Sequence, residues 1–424
     1  MKFLVVVPDG MADDPRDELG GKTPMQAANA PNFARIAREG HVGQARLIPK
    51  GMPPGSDVAN LALLGYNPAE FYTGRAPIEA AAQGIALGPA DWAVRANLVT
   101  LSDGVMVDYS AGHVASKEAA VIMDFLNERL GGEHVLFQPG VSYRNLVVLR
   151  GRGALEVRTT PPHDIIGKPV KAFLPQGKDA PVLQDLMDAA AALLADHEVN
   201  KVRLELGENP ASHVWLWGEG QALALPSFQE KYGKTAALIS AVDLLKGLGK
   251  SMKMDVLDVP GATGYYDTDY AAKGKHACEA LRTHDLVFVH VEAPDEAGHD
   301  GDTRKKVQAI ESIDAQILGP ALEFLENRRE PFRVLVLPDH ATPIAARTHT
   351  DVPVPFAMFG RGVKSTRQAE FSEAAGAASD LKVDPGHELM GYFLGLPEGE
   401  AGQIEVKKKT RRRRKPEQGT EKAE

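Results

Sequence analysis

The sequence predicts an α/β protein: a doubly wound, mostly parallel sheet into which a smaller α+β domain is inserted. Three observations carry that prediction. Unbroken β-branched and apolar runs recur as FLVVVPD (3–9), DLVFVHVEAPD (285–295) and RVLVLPD (333–339), each closing on an acid. Runs without polar alternation suit strands covered on both faces, as in parallel sheets. Helical patterns separate them over Thr235–Leu248, Tyr270–Arg282 and Asp302–Asn327, the last with apolar residues at Val307, Ile310, Ile313, Ile317 and Leu318. The strand–acid pattern also stops near Pro89 and resumes only after Pro226, so the middle of the chain is a unit of its own.

The opening apolar run ends at Pro8-Asp9, too soon for a secretory leader. GMPPGSDVANLALLG (51–65) is a Pro/Gly turn followed by a helix. The middle offers short strands at Ala96–Leu101, Tyr143–Leu149, Leu155–Thr160 and His213–Trp217, with helices at Ser116–Leu130 and Pro181–His197. Linkers fall near Gly84–Asp91 and Ser227–Gly233. This gives a discontinuous catalytic domain over 1–86 and 228–400, an inserted lid or substrate domain over 87–227, and a disordered basic tail over 401–424.

Composition sets the class. A chain of 424 residues, 43% hydrophobic and 25% charged, has material for a sizeable core. One cysteine, Cys278, excludes an internal disulfide and a thiolate zinc cluster, and fits a reducing, cytoplasmic setting. No segment approaches the ~20 apolar residues of a membrane span. The net charge is −9, yet residues 403–424 hold nine Lys/Arg and four Glu, so that segment is +5 and the remainder −14. Such a body is no nucleic-acid binder, and contact with nucleic acid is confined to the tail KKKTRRRRK (407–415), whose plain reading is a solvated extension. The surface leaves room for an oligomer.

The chemistry gathers at the strand ends. Ligand sites in open α/β sheets form beyond the carboxyl ends of the strands, where Asp9, Asp295 and Asp339 all stand. Within VHVEAPDEAGHDGD (289–302), five acids and two histidines crowd against an apolar strand, and Asp295 and His299 have the spacing D-x-x-x-H. On a helix that spacing shares one face, although Pro294 and Gly298 suit a loop equally well. His349 offers a third ligand, and Asp339-His340 forms a second pair beside Asp9. Oxygen and imidazole donors without thiolate suit Mn²⁺, Mg²⁺ or Zn²⁺. Each residue alone is a turn, a cap or a surface group; three acids and three histidines together point to metal. Ser56 precedes a helix, the ordinary place for a cap, and is also placed to act as a nucleophile activated by a metal.

PDGMAD (8–13), PPGSDVANLALLGY (53–66), FYTGRAPIEAA (71–81), LPDHATP (337–343) and RTHTDVPVPF (347–356) complete an ordered set. Together these motifs resemble the archaeal-type 2,3-bisphosphoglycerate-independent phosphoglycerate mutases, metalloenzymes of the alkaline-phosphatase-like superfamily. The resemblance runs from Met1 to about Pro397. It implies two divalent cations, manganese or magnesium first and zinc or cobalt next, with no organic cofactor. One would be held by Asp295, His299 and His349, the other by Asp9, Asp339, His340 and the Ser56 oxygen. Ser56 would carry phosphate between the two hydroxyls of a small phosphorylated substrate, glycerate phosphate, under a lid that keeps water out. Arg144, Arg75 and Lys231 are the cations expected to grip that substrate. His163 and Asp164 are the groups expected to exchange its protons. His113, in DYSAGHV, stands where the family pattern has Arg, and is a weaker substrate contact.

Two related readings share the site, a homoserine kinase-like phosphotransferase and a metal-dependent phosphatase, and a non-catalytic scaffold would leave the metal-binding pattern idle. GGKT (20–23) and GKT (233–235) suggest a nucleotide-binding phosphate loop, but Arg16 and Phe228 occupy the position of its first glycine.

Overall fold

The computed structural model describes residues 1–395; the expected basic tail lies outside the described residues. The chain starts with β1 (Lys2–Pro8) and β2 (His41–Ala45). It then leaves for β3 (Trp92–Ser102), β4 (Val105–Asp108), β5 (Val135–Val141), β6 (Arg144–Leu149) and β7 (His213–Gln221). It returns with β8 (Ala236–Ile239), β9 (Asp255–Leu257), β10 (Leu286–Val291), β11 (Phe332–Val336), β12 (Val354–Gly360) and β13 (Lys382–Val383). The first and last groups form one eight-stranded sheet in the order β13-β2-β12-β11-β1-β10-β8-β9. The middle group forms a separate antiparallel sheet of five.

The expected α/β architecture is present. Around β1 the pairing is parallel, to β10 on one side and β11 on the other, and only β12 runs against its neighbours β11 and β2. Alternate residues of β1 serve opposite faces: Phe3, Val5 and Val7 enter one core, Leu4 and Val6 the other. That is why the run reads as continuously apolar.

Three local readings change. Thr235–Leu248 is not one helix: β8 takes its start, and a helix runs over Asp243–Ser251. A four-residue apolar run such as Ala236–Ile239 carries no period of its own, so its helical reading yields to pairing with β10 and β9. Leu155–Thr160 forms no strand: it bridges Gln176 only at Arg158, and bonds such as Glu156 N–H to Asp179 Oδ2 and Trp215 Nε1–H to the Thr160 carbonyl, both at 2.8 Å, hold the rest. Within Ser227–Gly233, a short helix (Phe228–Tyr232) starts from a capping box at Ser227 and Glu230, a device that a composition-based linker reading misses. Tyr270–Thr283 and Ser116–Leu130 are helices as expected. The long one proceeds as Thr303–Ile313, a π turn over Asp314–Leu318, and Gly319–Asn327.

The helix Ala76–Ala82 packs against both sheets. Ile78 enters the core of the large sheet, whereas Ala76 and Ala80 cluster with Ala93 and Leu146 of the small one. No helix among the described residues is long and apolar enough to cross a membrane.

Under the strand ends lies a fully buried ion pair, Lys306 Nζ to Asp13 Oδ2 at 2.7 Å. The ammonium also donates to the carbonyl of Thr342 at 2.8 Å, and Asp13 accepts the Ile344 N–H. Lys306→Met should cost about 3–5 kcal/mol, because it strands the Asp13 carboxylate in the core. Denaturant unfolding checks this, and a loss below about 1 kcal/mol would show the pair to be dispensable.

Candidate active site

Seven expected residues converge at the carboxyl edge of the large sheet. Asp9 directly follows β1, and Asp339-His340 follow β11 by three residues. Asp295 and His299 lie on the helix Ala293–Asp300 that leaves β10, so the helical alternative holds for D-x-x-x-H. Pro294 sits in its first turn, where a missing N–H costs nothing. His349 joins from the loop that precedes β12, whose start lies at the same edge because β12 runs antiparallel to β11. Ser56 opens the helix Ser56–Leu63.

These side chains form two groups that could hold a metal ion, Asp295/His299/His349 and Asp9/Asp339/His340, with the ligand atoms of each within 4.8 Å of one another. In the first, Asp295 Oδ2 lies 3.2 Å from His299 Nε2 and Oδ1 3.3 Å from His349 Nε2. The two Nε2 atoms are 2.9 Å apart. In the second, His340 Nε2 lies 3.3 Å from Asp9 Oδ1 and 3.5 Å from Asp339 Oδ2. The groups are adjacent, since the His340 and His349 rings stack at 4.1 Å.

Ser56 Oγ is 3.0 Å from His340 Nε2. Its expected capping role is not borne out: Gly55 is the N-cap, no side chain caps the helix, and Ser56 is the first helical residue. The hydroxyl points at the second group instead.

The donor set fits divalent cations. Asp9 Oδ1 is buried without a hydrogen-bond partner, a costly state for a carboxylate oxygen unless a cation shares it. His299 turns Nδ1 to the Arg347 carbonyl at 3.0 Å, so Nδ1 carries a proton and Nε2 faces the group. The bond to Asp295 pushes His299 up to about 9, and a cation bound there would displace that proton. Burial, reinforced by the charges of Asp339 and Asp295, holds Asp9 well above the usual carboxylate range. Burial works the same way on Asp295 but is outweighed by bonds from His299 and His349, which hold it well below.

Sequence reading missed the groups behind these ligands. His290, fully buried in β10, lies 3.3 Å from Asp9 Oδ2 and 3.3 Å from Glu292 Oε1. Glu292 in turn pairs with buried Lys273 at 2.9 Å and accepts from Ser240 at 2.8 Å. Asn60 donates to Asp339 Oδ2 at 2.7 Å. Polar letters inside an otherwise apolar strand, as in LVFVHVE, were the available signal for His290 and Glu292.

The expected substrate groups divide. On the inserted unit, a connected wall of rings joins His113 to Tyr143, Tyr143 to Tyr109, Tyr109 to His163 and His163 to Trp217, at centroid separations of 5.3–6.2 Å. Arg144 lies over Tyr143 at 5.5 Å, which brings three expected residues into one wall. Arg95, missed in the sequence, lies over Trp217 at 4.2 Å and pairs with Glu79 at 3.0 Å. Burial pushes its guanidinium down to about 10. An arginine interrupting the apolar strand WAVRANLV was the clue. Arg75 bonds the same Glu79 at 3.1 Å, and the charge of Asp57, next to Ser56, also acts on it. Partial burial lowers the His163 pKa and favours the neutral imidazole. Asp164 is exposed, 3.9 Å from His163. Lys231 stands apart from this wall, its ammonium over the rings of Tyr66 and Tyr232.

Fold and site together define an α/β protein with paired carboxylate–imidazole groups and a serine hydroxyl at the carboxyl edge of its sheet. Residues 37–200 match the family model described as 2,3-bisphosphoglycerate-independent phosphoglycerate mutase. Proteins of that name from Methanosarcina mazei and Methanothrix thermoacetophila are 47% and 50% identical, each alignment covering 93% of this chain and 100% of the relative. A solved Pyrococcus horikoshii structure superposes with a TM-score of 0.79 at 30% identity, covering 93% of this chain and 96% of that one. The cofactor-independent phosphoglycerate mutase of Thermoplasma acidophilum gives 0.65 at 28%, covering 93% and 100%. The chain belongs to the 2,3-bisphosphoglycerate-independent phosphoglycerate mutase family.

Proposed function

We propose that this protein interconverts 3-phosphoglycerate and 2-phosphoglycerate through a phosphoserine at Ser56, without 2,3-bisphosphoglycerate. The observation that carries the reading is the Ser56 hydroxyl, 3.0 Å from His340 Nε2 and directed at paired cation-binding groups rather than at its own helix. The names of the relatives favour a mutase over the kinase and phosphatase readings.

Asp295, His299 and His349 would hold one divalent ion; Asp9, Asp339, His340 and the Ser56 oxygen the other. Such ions lower the pKa of a bound hydroxyl and neutralise phosphoryl charge during in-line transfer. Ser56 Oγ gives up its proton and forms a bond to phosphorus as the bond from phosphorus to the glycerate oxygen breaks. That oxygen takes a proton. The glycerate then turns, its other hydroxyl surrenders a proton and attacks phosphorus, and Ser56 is regenerated. Ser56, as the first residue of its helix, sits where the positive end of the helix dipole favours phosphate.

Arg75, Arg95 and Arg144 supply the positive charge that a multiply anionic acid requires. His163, favoured in its neutral form, is suited to carry a proton between the two hydroxyls, with Asp164 beside it. His113 closes the same wall, and Lys231 is the outlying cation of the set. The inserted unit over 87–227 acts as the lid, since a phosphoserine open to water loses its phosphate by hydrolysis. A small phosphorylated metabolite as substrate suits a cytoplasmic enzyme.

Purified protein with Mn²⁺ should interconvert the two phosphoglycerates with no bisphosphoglycerate added, and exhaustive chelation should stop it reversibly. Inactivity with every divalent ion tried, together with ATP-dependent phosphorylation of homoserine, would overturn the assignment.

A further inference from the structure

Thr342 is fully buried, and its hydroxyl has two partners, one in each ligand group. It donates to Asp295 Oδ1 and lies 3.2 Å from His340 Nδ1. A hydroxyl has one proton to give. With that proton committed to Asp295, the oxygen accepts from His340 Nδ1–H, which leaves Nε2 as the lone-pair nitrogen. Nε2 is the atom that faces Asp9, Asp339 and Ser56.

Thr342 is itself fixed in place. Its N–H donates to the Ala12 carbonyl at 3.2 Å, and its carbonyl accepts from Lys306 at 2.8 Å. Two glycines close on it: a Cβ on Gly10 would fall 2.5 Å from Thr342 Oγ1, and one on Gly298 2.6 Å from its carbonyl oxygen.

We propose that Thr342 is a positioning residue that couples the two cation-binding groups. One hydroxyl aims the Asp295 carboxylate and fixes the His340 tautomer, so occupancy of either group orders a ligand of the other. This rests on the two-ion reading above.

Calorimetric titration of chelator-treated protein with Mn²⁺ tests it, in wild type, Thr342→Val and Thr342→Ser. Valine keeps the shape without the hydroxyl, and serine keeps the hydroxyl. Loss of an outer partner of a metal ligand typically weakens affinity about 10- to 100-fold. Thr342→Val should weaken both binding steps on that scale, and Thr342→Ser should stay within a few-fold of wild type. Far-ultraviolet circular dichroism checks the fold, and Thr342→Ala replaces the valine variant if that one does not fold. Wild-type affinity at both steps without the hydroxyl overturns the proposal. So does weakening confined to one step, because the coupling would be absent. A wild-type protein that takes up no Mn²⁺ overturns the two-ion reading itself, and the coupling with it.

Discussion

Ser56→Ala should lower kcat by about 10⁴-fold or more, the scale on which loss of a covalent nucleophile acts. The same change should leave stability almost untouched. Ser56 is the first residue of its helix, not its cap, and its Oγ makes a contact with His340 that does not hold the helix end. Alanine is the better helix former, so the folded state should move by less than about 0.5 kcal/mol. Steady-state assay and thermal melting, run on the same preparation, separate chemistry from folding. Retained turnover at an unchanged melting temperature would remove Ser56 as the phosphate carrier.

Asp339→Asn should be the most damaging change among the ligands. Asp339 Oδ1 accepts the N–H groups of Gly10 at 3.2 Å and His340 at 2.9 Å, while Oδ2 accepts from Asn60 at 2.7 Å. Asparagine has one acceptor oxygen, so whichever way it turns, its NH₂ faces a buried donor. Leaving such groups unsatisfied costs about 1–3 kcal/mol. The lost negative charge also removes a cation ligand. Mn²⁺ affinity should fall by more than about 100-fold, beyond the range seen when only an outer partner is lost. Activity should not return when millimolar Mn²⁺ is added. Metal titration and assay check this, and wild-type dependence on Mn²⁺ would place Asp339 outside the centre.

Most of this centre was readable from the chain, for a physical reason. Asp9, Asp295 and Asp339 each close an apolar run, and parallel strands bring such ends to one edge of a sheet. His349 lies 50 residues beyond His299, so nothing local shows that their rings meet; its donor type marked it as a third ligand, and the family resemblance then implied the full set. The supporting groups were hidden because burial is what makes them significant. His290 is a polar letter in an apolar strand, Lys273 and Lys306 are lysines on helices, and Thr342 is a loop residue; only the folded core shows that each must be satisfied there. Arg95 was hidden likewise, and its place beside Trp217 emerges only once β3 and β7 pair. The fold failed locally where runs were shortest. Ala236–Ile239 is too brief for periodicity to separate strand from helix, and Leu155–Thr160 has strand-like composition but bridges a neighbour only at Arg158.

Crystals grown with Mn²⁺ and measured at the manganese absorption edge should give two anomalous peaks. One should fall among Asp295, His299 and His349, the other among Asp9, Ser56, Asp339 and His340. A single peak, or peaks away from these side chains, would contradict a phosphoryl-transfer centre built on two ions.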